Sequence, residues 1–457
     1  MQQLEKNLIE KLASAGGNLL DDISLIDMLN KTKSTSEEVS QALKNAVVTE
    51  QRINEAREEY RPVATRGSVL YFLVAEMSLV SNMYQCSLNQ FLQQFDLGIG
   101  RSEDSQVTSK RVSNIVTCLT EVVFNYVARY LFGDHKLLFV LLLALKVDLE
   151  AGNISSIEFG ALIKGGAALD IKQVRAKPVE WLPDAAWLNI ISSSHASSAL
   201  SSLPDSFANS PEIWNTWFEH ESPETLTLPE PFASANLSVF NKLLLVRSLR
   251  EDRAMLVAQD YIKNVLGPRF VESASSTIES TFAESTCSTP LIYLLSLGAD
   301  PSSDIDSFAK KEKTVLHQVS MGQGQDEPAR KYIAQAKKNG EWVLLQNCHL
   351  SLEFMSEIEV AFSTPDDSVH SDFRLWITTE PHLKFPIGLL QLAIKVAAEA
   401  PQGMKAGLKR TYNWVNQDLL DQVDKPEWKP LLYALTFLHS IEQERRRFGT
   451  FGLDCTL

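Results

Sequence analysis

The sequence predicts a parallel, doubly wound α/β sheet set between all-α regions. Short apolar runs of strand length (290–296, 342–347, 373–378) alternate with helical segments, as in β-α-β units whose strands are buried on both faces. Turn residues punctuate the first run at Gly298 and Pro301. Before residue 267 the apolar residues recur at helical spacing instead.

Taken in order, residues 1–60 are helical in pattern. Leu4, Leu8 and Leu12, then Leu19, Ile23 and Ile26, repeat around a break at Gly16-Gly17, and Asp21 or Asp22 caps the second helix. Val69–Phe95 and Val107–Leu149 are longer helical stretches, the latter broken at Gly133-Asp134. From Pro178 to Leu228 the chain turns loop-rich, and Trp181, Trp187, Trp214 and Trp217 anchor it, because large aromatic side chains hold a thin core. Leu237–Leu249 and Glu251–Leu266 are helices, the second ended by Gly267-Pro268. Then come strand Pro290–Ser296, helix Asp304–Lys311 and strand Val315–Val319. Helix Asp326–Lys338, with Pro328 in its first turn, and strands Trp342–Asn347 and Phe373–Thr378 follow.

The first strand leads where a phosphate-binding loop would lie. Such a loop reads G-x-x-x-x-G-K-[ST]: backbone N–H groups cradle phosphates, the Lys reaches the β/γ-phosphates and the hydroxyl holds Mg²⁺. Here it reads Leu297-Gly298-Ala299-Asp300-Pro301-Ser302-Ser303, without the second Gly, the Lys or the following Ser/Thr. Asp300 puts negative charge where a triphosphate would sit, and Pro301 deletes a backbone donor. Gln346 and Asn347 end the third strand, where acidic residues would hold Mg²⁺ or position water.

Those residues resemble a family. LLSLGADPS (294–302), VSMGQGQDEPAR (319–330), WVLLQNCHL (342–350), FRLWITT (373–379) and FPIGLLQ (385–391) resemble the sixth AAA+ module of dynein heavy chains. GNLLDDISLIDML (17–29) and AREEYRPVATRGSVLYFL (56–73) resemble the end of the fifth module. RTYNWVNQDLL (410–420) and ERRRFG (444–449) resemble the start of the sixth module's helical lid. The wording stands closer to axonemal chains, the outer-arm type among them, than to cytoplasmic dynein. The resemblance implies a degenerate AAA+, P-loop NTPase-like sheet with a partial lid. It divides the chain into 1–67 (lid of the preceding module), 68–288 (helical connection), 289–400 (α/β core), 401–452 (lid start) and 453–457 (divergent end). Thr378, Thr379 and Arg66 fall at sensor-like positions, a salt bridge or helix end being the alternative for Arg66.

The resemblance also implies a motor that is ATP-driven and minus-end-directed, sliding microtubules in the axoneme of a cilium or flagellum, with intermediate and light chains as partners. ATP and Mg²⁺ would act in other modules, and this one would hold no cofactor and contact neighbouring AAA+ modules of the same heavy chain. Met1 falls where the family is already helical and FGTFGLDCTL (448–457) leaves its wording, so a fragment, partial gene model or truncated isoform is expected.

Composition is that of a globular protein with cysteines suited to a reducing cytosol, and the resemblance implies a cytoplasmic, cytoskeletal setting. At 457 residues, 44% hydrophobic and 22% charged, two or three packed units are expected. The net charge of −14 disfavours a broad nucleic-acid or anionic-membrane surface. The longest apolar run, Leu137–Leu145, is far short of the ~20 residues a bilayer needs. Five cysteines show no paired spacing and no metal signature.

Several residues have two readings. Gly322-Gln-Gly-Gln325 is an anion nest or a tight turn. His349 beside Cys348 is a ligand or a hydrogen-bonded core histidine, and Lys405, Lys409 and Arg410 are a basic patch or a solvated helix face. For the chain, the first reading is a non-hydrolysing ring segment. The alternatives are an NTPase with an unconventional site and a helical interaction scaffold.

Overall fold

The computed structural model describes residues 23–167, 169–170, 174–234, 237–271, 277–296, 298–364, 368–400, 403–412, 415, 417–423 and 425–448. The helical pattern before residue 23, the caps Asp21 and Asp22, and the divergent end 453–457 lie outside them. The chain divides into two compact units, Met1–Arg66 with Ser102–Thr117, and Gly67–Arg101 with Cys118–Leu457.

The first unit holds the 37-residue helix Ile23–Glu59. Gln41–Asn45 and Gln51–Glu55 pair along it at i,i+4, and Val39, Leu43 and Val47 stay exposed on it. Elsewhere in this unit, Arg111 donates to the carbonyls of Ser102 and Glu103.

The second unit begins in helix. Among the described residues, one helix, Arg61–Val80, is long and apolar enough to cross a membrane. Its residues Leu70, Leu73, Val74 and Met77 are buried in the core of this unit, which accounts for their apolarity. The break expected at Gly133 separates helices Thr108–Ala128 and Gly133–Glu150. The expected continuous stretch Val69–Phe95 is interrupted by a single 3₁₀ turn at Asn82–Tyr84, which Ser81 caps by accepting from the Met83 amide. The tryptophans anchor the loop-rich segment: Trp187 donates to the Arg175 carbonyl at 2.8 Å, and Trp214 stacks on Phe207 at 4.4 Å while donating to Ser206.

The α/β segment runs β1 (Leu291–Leu295), α1 (Ser302–Lys311), β2 (Leu316–Ser320), α2 (Asp326–Asn339), β3 (Trp342–Gln346), α3 (Leu352–Ser363), β4 (Arg374–Thr379), α4 (Ile387–Leu392) and β5 (Ile394–Ala398). All strand pairs are parallel, in the order β2-β3-β4-β1-β5. Helical segments α5 (Met404–Tyr412), α6 (Gln417–Leu420) and α7 (Trp428–Phe448) follow.

Strand alternation sorts side chains onto two faces. Tyr293, Trp342, Leu344 and Trp376 share one core with Phe308 of α1, the Trp342–Trp376 centroids lying 5.4 Å apart. Ile292, Leu294, Val343, Leu345 and Ile377 face the other, which is continuous with the helical core from Leu70 to Phe270. The sequence reading missed β5. Its residues Ile394-Lys-Val-Ala-Ala398 follow a helical run without a turn signal, and Lys395 breaks the apolar run that marks a buried strand.

Candidate functional site

In this strand order β1 and β4 adjoin, and their onward connections leave in opposite directions, so a ligand crevice belongs at their C-terminal ends. Three loops meet there: 296–301 after β1, 347–351 after β3 and 380–386 after β4.

The β1 loop is built on its own bonds. Gly298 sits at φ +80°, a conformation only glycine adopts without strain. The Ala299 amide donates to the Ser296 carbonyl at 3.0 Å. The Asp300 carboxylate accepts from the Ser302 amide at 2.9 Å, so a carboxylate of the chain takes a free N–H at the start of α1. Pro301 is buried, has no N–H, and accepts at its carbonyl from the amides of Asp304 and Ile305.

At the end of β3, Gln346 donates from its carboxamide to the Ser302 hydroxyl at 2.8 Å. The residue at the would-be acidic position therefore pairs with the residue after the β1 loop, and both are neutral. Asn347 adopts a left-handed conformation at φ 54°, placing its amide 3.3 Å from the Thr378 hydroxyl and its side chain 3.3 Å from the Ser320 hydroxyl. Thr378 and Thr379 are buried, and Thr379 donates to the Glu380 carbonyl. Arg66 belongs to the first unit, where it is half-buried in the helix Arg61–Val80.

The rival readings of other residues resolve on geometry. His349 is half-buried and accepts at Nδ1 from the Glu380 amide. Cys348 is fully buried, and burial pushes its thiol well above its ordinary range. Gly322–Gln325 forms a turn closed by the Gln325 amide on the Gly322 carbonyl, with Gly324 at φ +79°. No group of three or more His, Cys, Asp or Glu among the described residues could hold a metal ion.

Groups of the described loop that could meet a phosphate are already paired. The Ser302 amide is engaged by Asp300 and its hydroxyl by Gln346, while position 301 has no amide proton. Asp300 adds an exposed negative charge to the same loop. Sequence reasoning missed the cation that does arrive. Arg410 of α5, taken with its neighbours as a solvated face, donates to the Asp300 carbonyl at 3.3 Å. No local signal marks a partner 110 residues away.

Known relatives match nearly the whole chain. Residues 286–397 match the dynein heavy chain region D6 P-loop domain. Dynein axonemal heavy chain 5 of Mus musculus is 49% identical over 452 residues, and dynein axonemal heavy chain 8 of Homo sapiens is 48% identical over 458 residues. The dynein gamma chain of the flagellar outer arm from Chlamydomonas reinhardtii is 48% identical over 456 residues. Each alignment takes in 99% of this chain and 10% of the relative, so the chain spans about a tenth of their length.

Proposed function

We infer, for a chain that belongs to the axonemal dynein heavy-chain family, that its α/β segment is a non-hydrolysing structural module of a motor ring. The observation that carries this is the Gln346–Ser302 hydrogen bond at 2.8 Å. In an ATPase the residue at the end of this strand is a carboxylate that holds Mg²⁺ or positions the attacking water. A carboxamide closed on the hydroxyl supplies neither the charge nor an open coordination position.

The surrounding assignments follow as parts of the same reading. Residues 1–67 are the lid of the preceding module, 68–288 the helical connection, 289–400 the α/β core and 401–452 the start of its lid. The whole heavy chain hydrolyses ATP at other modules and slides microtubules in the ciliary or flagellar axoneme, with intermediate and light chains attached elsewhere. This segment contacts neighbouring AAA+ modules and transmits their conformational changes, which requires packed elements with discrete arrangements.

The reading is tested by calorimetric titration of the full chain with Mg·ATP. No saturable binding is expected below about 1 mM, the affinity of only about −4 kcal/mol. Micromolar affinity with magnesium-dependent turnover would overturn it.

A further inference from the structure

We propose that the β1 loop and the first lid helix form a built-in lock, in which the Asp300 main-chain carbonyl holds Arg410 and fixes the lid with no nucleotide bound. The inference rests on reading this module as one that holds no nucleotide, and deepens it by naming what holds the lid instead.

Five links run from the sheet to the lid. Gln346 at the end of β3 fixes Ser302 at 2.8 Å, and the Asp300 carboxylate fixes the Ser302 amide at 2.9 Å, so the loop is tied to the sheet edge. The chain leaving β5 is tied to the same loop: the Ser296 amide donates to the Ala398 carbonyl at 2.9 Å, and the Ala400 amide to the Ser296 hydroxyl at 3.3 Å. Arg410 then reaches back from α5 to the Asp300 carbonyl at 3.3 Å. Within the lid, α5 is clamped to α7. The Gly403 amide donates to the Glu444 carboxylate at 2.6 Å, and Gly407 lies so near Ser440 that an added Cβ would meet its hydroxyl at 3.3 Å.

A guanidinium bonded to a phosphate is released when that phosphate leaves. A main-chain carbonyl never leaves, so the lid keeps one orientation whatever nucleotide the solution holds. Such a segment acts as a stiff lever and not as a responsive jaw.

Hydrogen exchange of the full chain, read by mass spectrometry, tests the lock. Arg410→Ala is expected to speed exchange over residues 404–412 by about threefold to tenfold, as for one net hydrogen bond. Exchange in β1 and β3 stays unchanged, and Lys409→Ala, one position away on the same helix, matches the parent chain. An unchanged lid in Arg410→Ala, an equal rise in Lys409→Ala, or a rise that extends into β1 each overturns the lock. Adding Mg·ATP to the parent chain separates the two ideas. Slowed exchange over 404–412 sinks the nucleotide-free reading itself. No response to ATP, with no effect of Arg410→Ala, sinks the lock alone.

Discussion

Leu344→Asp abolishes cooperative folding of the α/β segment. Leu344 is fully buried in β3, opposite Gln318 of β2 and Trp376 of β4, on the face packed with Trp342 and Phe308. Removing the leucine costs about 2–5 kcal/mol in lost burial and cavity. An unpaired carboxylate in the same place costs several kcal/mol more, or forces the group to protonate. Together these are comparable with the ~5–15 kcal/mol by which a domain is stable. Leu344→Met, which nearly conserves volume, costs less than about 1.5 kcal/mol. Circular dichroism melting of the two variants checks this. A sharp transition in Leu344→Asp at the parent temperature would mean that this face is not the packed core described above.

The strand hosting Leu344 was readable because it is apolar throughout, as buried parallel strands are. Trp342–Gln346, Leu291–Leu295 and Arg374–Thr379 appear within a residue or two of their expected limits. Lys395 defeats the same rule. A lysine inside an alanine-rich run suggests a solvated helix, and nothing local announces that tertiary packing buries it in a strand. The candidate site divides in the same way. The missing lysine and the neutral Gln346 and Asn347 are composition at fixed positions and could be read directly. The pairing of Gln346 with Ser302, 44 residues apart, and of Arg410 with Asp300 depends on which loops the sheet order brings to one edge. Hydrophobic period carries no information about that order.

Lys395 also carries the second large effect, a rise in stability with pH. Its side chain is 1% exposed, and its ammonium donates to the Gln85 carbonyl and lies 4.7 Å over the Tyr130 ring. Burial pushes its pKa down to about 8, with Arg129 adding repulsion. Cys86 would oppose this as a thiolate, and burial pushes its thiol up, which favours the neutral form. The unfolded chain keeps this proton until about pH 10.4. Between about pH 8 and that value the unfolded state binds more protons, so stability rises with pH, and the full penalty applies below pH 8. Other groups act in the opposite sense: burial pushes Tyr84 up to about 12 and raises Tyr126 and Tyr130 as well, so unfolded tyrosines ionise first and stability falls above about pH 10. The raised thiols of Cys86 and Cys348 contribute a similar fall from about pH 8.5. Lys395→Met removes the lysine and leaves the Tyr84, Tyr126, Tyr130 and Cys348 titrations in place, while the Cys86 thiol, which the Lys395 charge lowers, rises further. The variant's loss of the donor to Gln85 adds a pH-independent cost of about 1 kcal/mol. Urea unfolding at pH 7.5, 8.5 and 9.5 should show the parent gaining about 2 kcal/mol on the variant across that range, at ~1.4 kcal/mol per unit. A flat difference would mean that the buried ammonium is fully compensated by its carbonyl and ring partners, and that β5 packs against the helical core without an electrostatic penalty.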